Sequence, residues 1–330
     1  MRKSTLPLAV VVAAAGIGLM TVPPSNAATV TAAPATVQTR PPAVTSRIGV
    51  HFDLAKGQMP ENIALGPDGT AYVTFAAARQ VAAISPAGAT RILATLPAPA
   101  DGGAGTPVLG FALTTGIVRT GDGTLYFLYA SGDAASTGLY RLRPGKTPQR
   151  IAALPAAGLP NGLAYDEPAK TFYLTDSVSG SITTVPLNGG RAQVWSSAPE
   201  LASTGFLGAN GIKVRRGAIW ATNLDRGTLL RIPIERGRPG TVQVKASGLA
   251  GIDDIAFSGT GGDQVIAALN GPNKVVRIDA DGHVTTVLTT AEGLQNPTSV
   301  AVRGRTLYVL SAAYTTATDP NLVLATLPRR

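Results

Sequence analysis

The chain has no cysteine in 330 residues. No disulfide can staple it, no thiolate can serve as nucleophile or metal ligand, and no lipid-modified cysteine can anchor it. Only two histidines are present, His51 and His283, which argues against a zinc centre. Aromatic residues make up 5% of the chain and charged residues 14%. No long stretch repeats apolar residues every 3.6 positions, and helices are not expected. Long hydrophobic runs are also lacking, with one exception. Leu6–Met20 is apolar over 15 residues, short of the roughly 20 that a membrane helix needs.

Arg2 and Lys3 precede that run, and Ser25-Asn26-Ala27 ends in small residues. This is the pattern of a secretory signal peptide over residues 1–27, cleaved after Ala27, with an uncleaved anchor as the alternative. Residues 28–45 are rich in Ala, Thr and Pro and read as a flexible leader. Residues 46–330 are long enough to bury one sizeable core, in a secreted or cell-envelope protein. The formal charge is +9, and +7 once Arg2 and Lys3 are removed. The basic residues are scattered over strand ends and turns, as in RLRPGK (141–146) and KVRRG (213–217). They read as a solvated surface, with no nucleic-acid-binding stripe.

What is abundant is glycine (38) and proline (25), separating short β-rich runs. These runs repeat. PENIALGPDGTAYVTF, TTGIVRTGDGTLYFLYA, PNGLAYDEPAKTFYLTDS, ANGIKVRRGAIWATNL, IDDIAFSGTGGDQVIAAL and PTSVAVRGRTLYVLSA each hold one apolar strand, a turn and a second strand. The second residues of the aligned segments are Glu61, Thr115, Asn161, Asn210, Asp253 and Thr298, at steps of 43 to 54 residues. That is a propeller period. A third strand follows in every repeat and a fourth in five of them, which predicts an all-β, six-bladed β-propeller with four antiparallel strands per blade. The last repeat lacks a strand, and RIGVHFDLA (47–55) is expected to complete it and close the ring.

Asn161-Gly162 alone signals a tight turn. In a propeller, however, the six aligned positions converge at the mouth of one channel. Glu61, Asn161, Asn210 and Asp253 supply carboxylate and amide oxygens, the donors a hard cation such as Ca²⁺ requires. Asp254 is a rival to Asp253, because a one-residue slip exchanges the inward residue. Thr175-Asp176, Thr222-Asn223 and Asn270 end the second strands on the same face, either as supports for the ligands or as ordinary strand caps. The histidines fall on the outermost strand and in a hairpin turn, away from the channel.

The PENIA, PNGLAYD, ANGIKV and GIDDIAF segments, with YLTDS after the third, resemble the family of regucalcin (SMP-30), the gluconolactonases and the luciferin-regenerating enzyme, within the calcium-dependent phosphotriesterase group of propellers. The likeness runs from about Gly57 to the C-terminus. It implies a divalent metal, usually Ca²⁺, held by Glu61, Asn161, Asn210 and Asp253, and a monomeric enzyme acting on a small molecule in the central channel. Two departures stand out. Several relatives carry an Asn where this chain has Thr115, and neither a histidine pair nor the strictosidine synthase glutamate is present, Thr298 and Ser299 standing there instead. The expected activity is hydrolysis of a lactone or related ester, with Asp253 as base for a water. A non-catalytic extracellular propeller binding a carbohydrate, peptide or envelope component is the alternative, and a strictosidine-synthase-like enzyme a more remote one. The Gly-rich segment 95–110 is the expected lid.

Overall fold

The computed structural model describes residues 44–259 and 262–328; the signal peptide and nearly all of the leader read from the sequence lie outside the described residues. Among these, six antiparallel sheets follow one another along the chain, five of four strands and one of five. They form a six-bladed propeller. The inner strands are Pro60–Leu65, Leu113–Arg119, Pro160–Asp166, Ala209–Arg215, Ile252–Phe257 and Pro297–Arg303, in blades 1 to 6. The fifth strand of blade 4 is the two-residue Arg238–Pro239. Helix among the described residues is limited to three single 3-10 turns, Leu54–Lys56, Pro199–Leu201 and Thr290–Glu292, and no helix there is long and apolar enough to cross a membrane.

Burial explains the strand composition. The second strand of blade 2, LYFLYA (125–130), is buried at every position, because both faces of a blade are covered by its neighbours and successive side chains point to opposite faces. The outermost strands keep one or both faces wet, as in Gln193–Ser196 and Val284–Leu288. Six apolar clusters fill the six gaps between adjacent blades, for instance Trp220 and Leu229 of blade 4 against Ile255 and Val265 of blade 5. A seventh, treated below, belongs to no single gap.

Closure is as the missing strand implied. Thr45–His51 pairs antiparallel with the last strand, Asn321–Thr326, from Thr45 opposite Thr326 to His51 opposite Asn321. Blade 6 is thus built from both ends of the domain, and the edge of Asn321–Thr326 is covered. Phe52, just after the closing strand, meets Phe75 of blade 1 edge-on at 4.9 Å, fastening the seam to the next blade.

Candidate functional site

In all six blades the pairing of inner and second strands loses register at the same place, just after Pro60, Thr114, Pro160, Ala209, Ile252 and Pro297. A bulge takes a residue out of the ladder and re-aims its side chain. Here it marks six residue pairs: Glu61-Asn62, Thr115-Gly116, Asn161-Gly162, Asn210-Gly211, Asp253-Asp254 and Thr298-Ser299. The first members are the six positions aligned from the sequence.

The bulges are stabilised by second-strand threonines. Thr74, Thr175 and Thr222 accept from the backbone N–H of Asn62, Gly162 and Gly211, and donate to the carbonyls of Thr115, Asn210 and Asp253 in the next inner strand. Gly162 is not at a turn; it lies within a strand. A Cβ there would overlap the Asn210 carbonyl, and one on Gly116 would come within 2.6 Å of the Asn161 carbonyl. Glycine is required for close approach of neighbouring backbones.

The six ring positions then divide. Thr115 and Thr298 turn sideways, their hydroxyls donating to the carbonyls of Pro160 (2.8 Å) and Pro60 (2.9 Å). They stitch blades together. Asn161 donates through Nδ2 to Ser177 Oγ at 3.1 Å, while Ser177 donates to the Ala209 carbonyl. That chain fixes the amide so that Oδ1 is its free acceptor. Asn210 is 3% exposed and makes no side-chain hydrogen bond among the described residues. A buried amide without a protein partner calls for a ligand or water.

The two carboxylates have neutral partners. Tyr314 donates to Glu61 Oε2 at 2.5 Å, and Asn270 donates to Asp253 Oδ2 at 3.3 Å. No lysine, arginine or histidine among the described residues forms an ion pair with either. Burial pushes the Glu61 carboxyl up to about 7, opposed by the Tyr314 hydrogen bond and reinforced by the charge of Asp254. Burial, then the Glu61 charge, also raises Asp253 well above the usual carboxylate range. The Glu61 charge is therefore felt at Asp253 and the Asp254 charge at both, and neither Glu61 nor Asp253 has a cationic partner among the described residues.

Asp254, the second bulge residue of blade 5, is engaged differently. Its Oδ1 meets Lys213 Nζ of blade 4 at 2.6 Å, and its Oδ2 accepts from Ser299 Oγ of blade 6 (2.6 Å) and Asn62 Nδ2 of blade 1 (3.3 Å). Blades 1 and 5 are not adjacent, so this hub crosses the channel. It separates the ring from a cavity of about 510 Å³ at the other end, lined by Ile63, Ile117, Arg119, Lys213 and Phe257 among others. The bulge brings both aspartates to the channel, Asp253 to the ring and Asp254 to the hub.

Of the second-strand residues, Asn270 supports Asp253, whereas Asp176 and Asn223 are strand caps. Asp176 accepts from the backbone of Leu159, Val178 and Ser179, and Asn223 donates to the carbonyls of Glu200 and Ala202. His51 is on the closing strand, paired with Asp319 at 2.7 Å, and His283 follows the outer hairpin turn at Asp281. The residue that sequence reading missed is Tyr314. It sits in the loop between the second and third strands of blade 6, pinned by Asn296 Oδ1, which accepts from Thr315 N and Thr316 N.

No cluster of three or more His, Cys, Asp or Glu suited to a metal occurs among the described residues. A cation here would depend on amide oxygens. The donor set fits that case: two buried, uncompensated carboxylates and two amides, one oriented and one unpartnered, are all hard oxygen ligands.

Solved structures with the same architecture include a gluconolactonase from Xanthomonas campestris (15% identity, 88% of this chain and 99% of that one, TM-score 0.62). A regucalcin from Agrobacterium tumefaciens, described as a calcium-binding protein, matches at 17% identity over 86% and 94% of the chains, TM-score 0.63. Virginiamycin B lyase from Staphylococcus aureus matches at 17% over 83% and 82%, TM-score 0.59. At these identities the likeness is one of fold. No match was found among curated protein sequences. The model of the SMP-30/gluconolactonase/LRE-like region, however, matches residues 118–313, a span that carries Asn161, Asn210 and Asp253, and the chain therefore belongs to the SMP-30/gluconolactonase/LRE-like family.

Proposed function

We propose that this protein is a secreted, Ca²⁺-dependent hydrolase of a lactone or related ester, working at the mouth of its propeller channel. The observation that carries the reading is the pair of buried carboxylates, Glu61 and Asp253, which share the ring with Asn161 and Asn210 and have no cationic side chain. Those four residues would hold the cation. When bound, it supplies a Lewis acid for a carbonyl oxygen.

The remaining chemistry belongs to the chain. Asp253 is held by Asn270 at Oδ2, which leaves Oδ1 to take a proton from water. The water oxygen bonds to the substrate carbonyl carbon, the ring C–O bond breaks, and the proton passes to the departing alkoxide to give the hydroxy acid. Tyr314 fixes Glu61 by its short hydrogen bond and keeps it from rotating out of the ring. The Staphylococcus aureus lyase is described as catalytically inactive when one histidine is replaced by alanine. Here both histidines are remote from the ring, which favours carboxylate chemistry.

The test is hydrolysis of a lactone panel by the wild type, Glu61→Gln and Asp253→Asn, with calcium and with chelator. Calcium-dependent turnover lost in both variants supports the proposal. Bound calcium with no turnover across the panel would leave a non-catalytic binding propeller. Export by the 1–27 segment is checked by sequencing the N-terminus of the protein recovered outside the cells, expected at Ala28.

A further inference from the structure

We propose that the substrate carries an apolar alkyl or aryl substituent beside its reactive carbonyl, seated by an apolar funnel over the ring; this rests on the hydrolase reading above. Six apolar clusters lie between blades, but the seventh is assembled from the strand ends Leu113 and Ala130 and from loops on the ring's own face. Around buried Leu159 and Leu207 it gathers the half-buried Leu109, Phe111, Val178 and Leu224, together with Tyr314. Tyr314 belongs to both structures, packing in this cluster while its hydroxyl reaches Glu61. The cluster therefore reaches the ring through Tyr314.

Two exposed apolar side chains adjoin it along the chain. Of the six exposed large hydrophobics among the described residues, Ile92, Val194, Val244 and Val284 lie on outermost strands, and the other two are Val108 (54% exposed) and Phe206 (49%). Each immediately precedes a leucine of the cluster in sequence. Val108 also has φ +65°, a left-handed conformation that a β-branched residue adopts only at a cost. Its own exposed side chain gains no core packing in return, and such strain marks functional positions.

The two carboxylates of these loops are engaged internally, while Thr106 Oγ1 has no hydrogen-bond partner among the described residues. Asp225 accepts from Ser203 Oγ and from the backbone N–H groups of Thr204, Gly205, Phe206 and Leu207, all at 2.8 to 3.1 Å. Asp101 accepts from Gly103 and Gly105. These carboxylates hold Phe206 and the 101–110 segment in place, and are not offered to the hydroxyl groups of a sugar. The segment expected to be a lid bears Val108 and Leu109, with Phe111 just after it. A polyhydroxylated lactone would find few partners here, and an alkyl or aryl group would find a surface already built.

The experiment compares kcat/KM for δ-lactones with alkyl tails of increasing length, an unsubstituted δ-lactone and a polyhydroxylated one. The expected gain is about fourfold per buried methylene, and Phe206→Ser should cut the preference for the alkyl lactone over the unsubstituted one by about tenfold. Calorimetric binding of the matching alkyl-substituted δ-lactams, which resist hydrolysis, reads the funnel without turnover. Lactam affinity that rises with tail length in a protein that cleaves no lactone sustains the funnel and overturns the hydrolase reading. Affinity indifferent to tail length, or a preference for the polyhydroxylated ligand, overturns the funnel. Unchanged selectivity in Phe206→Ser, with thermal stability intact, overturns it as well.

Discussion

Glu61 and Asp253 are the residues on which the site turns, and their burial gives them a measurable signature. The Glu61 carboxyl titrates at about 7 in the fold against 4.5 for an unperturbed group, and Asp253 is displaced in the same direction. A carboxyl raised in the folded state binds protons more tightly there than in the unfolded chain. Its contribution is present below about pH 4.5 and is lost as pH rises through about 7. Without calcium, stability should therefore fall between pH 5 and pH 8, by on the order of 3 kcal/mol for Glu61, read as a lower melting temperature, and calcium should restore it mainly at pH 8. A calcium-free protein equally stable at both pH values would contradict this. Tyr314→Phe removes the one hydrogen bond to Glu61 without changing the ring's ligands, and calcium affinity should drop at least tenfold by calorimetric titration. The four ring residues were legible in sequence because the repeat aligns them. Tyr314 was not, since it comes from a loop outside the repeat, 253 residues from its partner. Nor could sequence decide that Thr115 and Thr298 point at neighbouring carbonyls while Asn161 and Asn210 do not.

The bulged inner strand is the element that makes the site possible. The recurring segments identified these strands correctly, but a register break exists only between two paired strands. Reading one strand at a time therefore made Asp253 and Asp254 exclusive alternatives. With the bulge, Asp253 serves the ring and Asp254 the hub. Thr222→Val keeps the shape of the side chain while stranding the Gly211 N–H and the Asp253 carbonyl. It should cost about 1–3 kcal/mol in denaturant unfolding, and weaken calcium binding because the backbone of a ligand is released. An equally stable variant with unchanged affinity would show that the threonine does not brace the bulge.

For the whole molecule, two tethers hold the ring closed. One is the strand Thr45–His51 on the last blade; a chain starting at Phe52 should leave the edge Asn321–Thr326 open and aggregate. The other is the hub across the channel. Lys213→Met leaves Asp254, whose side chain is 2% exposed, without its counter-ion, at a cost of about 3 kcal/mol. Closure by the first strand was legible because a blade was one strand short. The hub was not, because Asn62, Lys213, Asp254 and Ser299 meet only once the ring is closed. The account as a whole stands on the ring holding a hard cation. Its most direct test is calorimetric titration of calcium into chelator-treated protein. The account predicts one calcium per chain, a rise in melting temperature on binding, and loss of both in Glu61→Gln and Asp253→Asn. No binding heat, with a melting temperature indifferent to calcium and chelator, would contradict it.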